Sequence, residues 1–251
     1  MRKIDIQPRD VALSLVLLTR LPLPHLPKTA FARQAQAAWA FPLAGLAVAL
    51  PACGLAWVLL ALGLPAQVAA GGFLGVQILL TGAMHEDGLA DSADGLWGGF
   101  DKGRRLEIMK DSRIGAYGVI ALILCLGLRW SLYAALLATG QLWSLLALAM
   151  LSRAVMPGLM ATLPNARGSG LSAQVGRPNR APAVLGATLA LVAGLALIGA
   201  PIWIMVATAA LTALAVARIA KAKIGGQTGD ILGASQQLAE ITCAMALLAQ
   251  L

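Results

Sequence analysis

"AAWAFPLAGLAVALPACGLAWVLLAL", residues 37–62, decides the fold class. It runs for 26 residues without a charge, and about 20 apolar residues are enough for a helix to cross a bilayer. Mostly apolar runs of comparable make recur at 64–84, 116–139, 142–163, 182–199 and 202–220. A last run, 231–251, follows a glycine-rich stretch and carries Glu240. Only 12% of the residues are charged and 59% are hydrophobic, where a soluble domain carries roughly 25% charged residues. The mean hydropathy is +0.79. The expectation is an all-α fold, a polytopic transmembrane helical bundle of about six to seven spans, in one domain over residues 1–251.

Upstream of that stretch the pattern changes. "VALSLVLLT", residues 11–19, is too short to span and reads as an interfacial or re-entrant helix. "RLPLPHLPK", residues 20–28, cannot be regular helix, because each Pro removes a donor and restricts the residue before it. The polar start, with Asp5 and Asp10, does not read as a cleaved signal peptide.

Downstream, the connections set the topology. Those near residues 63, 140 and 200 carry no charge, while segments 20–36, 85–115, 164–181 and 218–230 hold nearly all of them. Basic residues concentrate on the cytoplasmic side of membrane proteins. The net charge of +8 is therefore a positive-inside bias, with the polar motifs facing the cytoplasm; no basic run with interleaved aromatics points to nucleic acid. Cys53, Cys125 and Cys243 lie in apolar runs, have no metal-ligand spacing and read as small buried hydrophobes.

Three polar motifs stand out against this background. Seven of the eleven acids lie between Glu86 and Asp111. In "MHEDGLADSADGLWGG", residues 84–99, Asp87, Asp91 and Asp94 fall at i, i+4 and i+7 and share one helix face. Three carboxylates so spaced repel one another. A divalent cation offsets that, and an all-oxygen donor set favours Mg²⁺ or Mn²⁺; a solvated acidic face is the plainer alternative. Gly88 and Gly95 permit close approach. His85, a poor ligand for a hard cation, suits substrate hydrogen bonding, and Glu86 points off the stripe, solvated or paired with a basic residue.

In "EIMKDSRIGAYG", residues 107–118, Asp111 could complete a metal shell, and Arg113 with Gly115 and Gly118 suits phosphate. "KIGGQTGDILGASQQLAE", residues 223–240, places Gly226, Thr228, Gly229 and Asp230 at the opening of a helix, a phosphate cradle without the P-loop ending. Glu240, Arg153 and Arg129 are charges inside apolar runs, which are expensive there and so functional by default; Arg153 is placed to reach a phosphate and Arg129 suits a structural role. Acids for metal with arginines and glycines for phosphate describe phosphoryl transfer. A transporter of divalent cations or corrinoids, or another Mg²⁺-dependent membrane alcohol phosphotransferase, are the competing readings.

The blocks "TRLPLP", "HEDGLADSADGLWGG", "IMKDSRIGAYG", "SR" at 152–153 and "GGQTGDILGA" occur in an order that resembles the cobalamin synthase family, the adenosylcobinamide-GDP ribazoletransferases, over nearly the whole chain. The resemblance implies an inner-membrane enzyme with its site facing the cytoplasm. Such an enzyme joins adenosylcobinamide-GDP to alpha-ribazole or its 5′-phosphate, releases GMP and requires Mg²⁺. By the same resemblance, His85, Asp87, Gly88, Asp91, Asp94 and Gly95 match the acidic block. Asp111, Arg113, Gly115 and Gly118 match the second block, Arg153 the intramembrane arginine, and Gly226, Thr228, Gly229, Asp230 and Glu240 the last. The individual roles are chemical inference: Asp87, Asp91, Asp94, Asp111, Asp230 and Glu240 for metal, and Asp94 ahead of Asp230 as general base, with His85 as the alternative. Partners are small-molecule substrates and the lipid bilayer, with a homo-oligomer left open. The CDP-alcohol phosphotransferase pattern is a cousin, but its AR pair and later DxxxD are missing here.

Overall fold

The computed structural model describes residues 5–251; the first four residues of the uncleaved start expected above lie outside the described residues. Among the described residues the regular structure is helix, with no strand and one isolated backbone bridge, Asn165 to Gln227. The helices are α1 (Arg9–Leu18), α2 (Gln34–Ala37), α3 (Phe41–Ala61), α4 (Ala66–Thr81), α5 (Met84–Gly98) and α6 (Lys102–Ile108), then α7 (Ala116–Ala138), α8 (Ser144–Thr162), α9 (Leu171–Val175), α10 (Arg180–Ile198), α11 (Ile202–Ile224) and α12 (Gly229–Leu248). Six described helical segments, ending in or formed by α3, α7, α8, α10, α11 and α12, are long and apolar enough to cross a membrane. The chain is a multi-pass helical membrane protein.

The run 64–84 departs from its expected single span. Its helix stops at Thr81, where Gly82 and Ala83 both adopt left-handed backbone, at φ 64° and 56°. The chain then turns 85° into α5. At 16 residues and about 1.5 Å per residue, α4 is short, yet it must return the chain from the uncharged turn after α3 to the charged side where α7 begins. The turn lets α5 leave the direction of α4 and wedge between α7 and α12. Most of the charged segment 85–115 is thus helix, with the Asp87–Asp91–Asp94 stripe on α5. The Pro-rich stretch contains no helix from Thr19 to Pro27, as its prolines dictate.

Small residues let the spans approach closely, which is how helices associate where lipid removes the hydrophobic drive. A Cβ on Gly45 of α3 would stand 2.2 Å from the Ala149 carbonyl oxygen of α8. Large apolar side chains such as Ile123, Leu124, Leu211 and Trp57 point outward instead. The ten-residue α1 does not span. Ser14 Oγ donates to the Ala37 carbonyl at 2.9 Å, and Asp10 accepts from Arg33 Nε and Trp39 Nε1, both at 3.1 Å. Burial works against the Asp10 carboxylate, but these bonds outweigh it and hold its pKa below the usual value.

Beneath α5 lies a buried ionic network. Arg129 Nη1 meets Glu86 Oε1 and Gln237 Oε1, each at 2.7 Å, and Nη2 meets Gln77 Oε1 at 2.8 Å. Glu240 accepts from Tyr133 and Gln236 and lies 3.7 Å from Arg129. A charge in the bilayer interior persists when paired, and this is the structural role expected of Arg129.

Candidate functional site

The N-terminal halves of α5 and α12 cross on glycines. A Cβ on Gly88 would meet the Asp230 carbonyl oxygen at 2.9 Å, and one on Gly233 would meet His85 Cα at 3.2 Å. That crossing brings Asp87 and Asp91 of the acidic block beside Asp230 of the glycine-rich block. Asp87 is exposed and Asp91 half-buried. Thr228 caps α12, its Oγ1 accepting the Ile231 N–H at 3.3 Å. Gly226 fits because its backbone lies against Pro164, where a Cβ would sit 2.1 Å from the carbonyl oxygen. The strap 164–166 is held there by Gln227 N to Pro164 O at 2.9 Å and Ala166 N to Gln227 O at 2.8 Å.

That strap delivers the residue the sequence reading passed over. Arg167, one of the charges of the segment 164–181, forms an ion pair with Asp230 through Nη2. Its neighbours Gly168, Ser169 and Gly170 were the available signal, since glycines and a serine beside an arginine are phosphate chemistry. Arg167 Nε and His85 Nε2 are buried without a hydrogen-bond partner. Both residues line a cavity of about 180 Å³, together with Asp87, Thr228, Gly229 and Asp230.

Other expected residues are committed elsewhere. Asp94 points away from the cavity: its Oδ2 accepts the Gly115 N–H at 2.7 Å and its Oδ1 the Gly118 N–H at 2.9 Å, so it caps α7. A carboxylate at a helix N-terminus satisfies N–H groups that the helix leaves unpaired. Gly115 and Gly118 accommodate this cap and do not line the cavity; a Cβ on Gly118 would lie 2.4 Å from Asp94 Oδ2. Gly95 seats Met109, and Gly88 serves the helix crossing, so neither is a phosphate contact here. Asp111 and Arg113 pair with each other at 3.0 Å on the exposed connection before α7, with Arg113 88% exposed. Their mutual hydrogen bonding lowers the Asp111 pKa and raises that of Arg113. Glu240 is fully buried in the network under α5, ten residues along α12 from Asp230, which removes it from the acid cluster. Arg153 is also buried beneath the cavity: Nη1 donates to Ala149 O at 3.0 Å, and it lines none of the cavity wall. Glu86 is buried and paired, as one branch of its reading had it.

Among the described residues, no three His, Cys, Asp or Glu side chains stand close enough to ligate one ion as they are. The donor chemistry still fits Mg²⁺, which is commonly held by one or two carboxylates, several waters and substrate phosphates. Asp87 and Asp91 are the acids left free for that role, since Asp230 is paired with Arg167.

No solved structure matches the chain. A protein from Bradyrhizobium diazoefficiens is 44% identical over 92% of this chain and 90% of its own length. One from a Sinorhizobium species is 45% identical over 92% and 93%, and one from Brucella canis 40% identical over 95% of each. All three are named adenosylcobinamide-GDP ribazoletransferase. The family model described as cobalamin-5-phosphate synthase matches residues 10–248, and by that match and these relatives the chain belongs to the cobalamin-5-phosphate synthase family.

Proposed function

We propose that the chain joins adenosylcobinamide-GDP to alpha-ribazole or its 5′-phosphate, with release of GMP, in cobalamin synthesis. The observation that carries the site is the meeting of Asp87 with the Asp230–Arg167 pair at one cavity, with Asp91 one turn further along α5 beside them. The relatives' shared name supports the substrates. The charged face is taken as cytoplasmic on the positive-inside bias, in a bacterial inner membrane.

The acceptor's ribose hydroxyl oxygen forms a bond to the phosphorus bearing the cobinamide arm, and the bond from that phosphorus to the GMP oxygen breaks. Mg²⁺, when bound, neutralises charge on the diphosphate. Asp87 and Asp91 would hold it. Arg167 is placed to bind a phosphate oxygen, since its guanidinium already faces the acids and its Nε has no partner. Asp230 takes the hydroxyl proton, being the carboxylate at the cavity that needs no metal bond for its position. His85 Nε2 hydrogen-bonds the hydroxyl and orients it. Asp94 is set aside as base, because both its oxygens already accept N–H groups. Purified protein supplied with both substrates and Mg²⁺ should release GMP and form a cobalamin product, and a chelator should stop it. No GMP from a folded sample would reject the reading.

A further inference from the structure

The cavity beside the acids has a second part that the phosphoryl chemistry does not use. Leu17 and Leu18 of α1, Phe41 of α3, Met156 and Met160 of α8, and Val175 of α9 line it. Most of these belong to one continuous apolar cluster. None of these six offers a side-chain hydrogen bond; of the two serines that also line the cavity, Ser172 is already bonded to Gln227 and Asn165, and Ser169 stands two residues from Arg167. At about 180 Å³ the cavity is smaller than the roughly 300–1,000 Å³ of most ligand clefts, so it admits a fragment of a substrate and not a corrin macrocycle. Guanine is a poor occupant. Its edges carry several donors and acceptors, and burying them against methionine and leucine would leave them unpaired, which is costly. An alkylated bicyclic base with few polar atoms has no such difficulty, and thioethers pack well on aromatic rings.

We propose that this cavity is the acceptor subsite, in which the apolar part takes a methylated bicyclic heteroaromatic base and His85 meets the attached ribose. The proposal rests on the transferase reading above. Independently of the apolar lining, His85 is 2% exposed and its Nε2 lacks a partner while lining the same cavity. A base seated between α1 and α8 directs its sugar toward Asp87, Arg167 and Asp230, where the hydroxyl is needed. Specificity for the base would then come chiefly from shape and methyl burial.

The test begins with the unaltered protein and needs no variant. Binding of alpha-ribazole is measured by equilibrium dialysis without donor, against an analogue lacking the ring methyls and one carrying a purine. Affinity should fall roughly fourfold for each methyl removed, and about tenfold or more for the purine. Met160→Trp, which fills the apolar part, should raise the acceptor KM about tenfold while leaving the donor KM within about twofold, and Met160→Leu should change neither by much. Binding indifferent to the methyls would overturn the subsite, and so would a Met160→Trp protein in which the donor KM rises instead. Should Met160→Trp fail to fold, the dialysis series decides alone. Methyl-dependent binding without any GMP release would reject the transferase reading while supporting the cavity as a nucleoside site.

Discussion

Asp94 Oδ1 accepts the Gly118 N–H at 2.9 Å, and through that bond the acidic helix α5 anchors the first turn of α7. Loss of an N-cap typically costs about 0.5–2 kcal/mol. Asp94→Ala should therefore lower stability by about 1–2 kcal/mol, and Gly118→Ala should also destabilise, because its Cβ would displace the carboxylate. Thermal unfolding in detergent checks both. Unchanged unfolding together with lost turnover in Asp94→Asn would restore Asp94 to the chemistry.

Asp87→Asn and Asp91→Asn should behave the opposite way. Each removes one of several like charges, so folding should hold or improve slightly. Turnover should fall on the order of a hundredfold, the size seen when one group stabilising transition-state charge is lost. A Mg²⁺ titration of GMP release should shift to higher concentration in both variants. Wild-type rates and metal dependence would remove these residues from the site.

Arg129 is shared by Glu86 and Glu240 inside the bundle. Removing one partner of a buried ion pair leaves an uncompensated charge and costs about 3–5 kcal/mol. Arg129→Met should show a loss of that size, read as folded yield and unfolding temperature. Adding Glu86→Gln should recover part of it. Equal stability of Arg129→Met and the parent would contradict a structural role for the network.

The Asp10 carboxylate, held by Arg33 and Trp39, has a folded pKa below its ordinary value. Its contribution is present above the unfolded carboxylate pKa of about 3.9 and disappears as pH falls through the lower folded value. Acidification below about pH 4 should loosen the attachment of α1, and Asp10→Asn should loosen it at neutral pH. Hydrogen exchange in residues 9–18 would report the change; identical exchange in Asp10→Asn would contradict it.

The sidedness is testable with single cysteines in a background lacking Cys53, Cys125 and Cys243. A cysteine at Arg113 should label with a membrane-impermeant reagent from the cytoplasmic side, and one at Gly140 only from the opposite side. Cytoplasmic labelling at Gly140 would invert the proposed orientation.

Much of this protein was determined by the sequence alone, because bilayer physics acts on local composition. Residues 37–62 had to be buried in lipid or protein, the Pro-rich stretch after α1 could not be helix, and Asp87 and Asp91 shared a helix face by periodicity. The stop of α4 at Thr81 was less legible, since the apolar run continues through Gly82 and Ala83 and only their left-handed backbone turns the chain. The tertiary structure alone decided what each polar group meets. Asp94 sits on the same stripe as Asp87 and Asp91 but encounters the start of α7, so its charge is used by Gly115 and Gly118. Glu240 shares α12 with Asp230 but lies deep enough to meet Tyr133 and Arg129. Arg167 had no periodic signature at all, and the bridge from Asn165 to Gln227 brings it to Asp230. Spacing along a helix sets which side chains point together; the neighbours they reach depend on how the other helices cross.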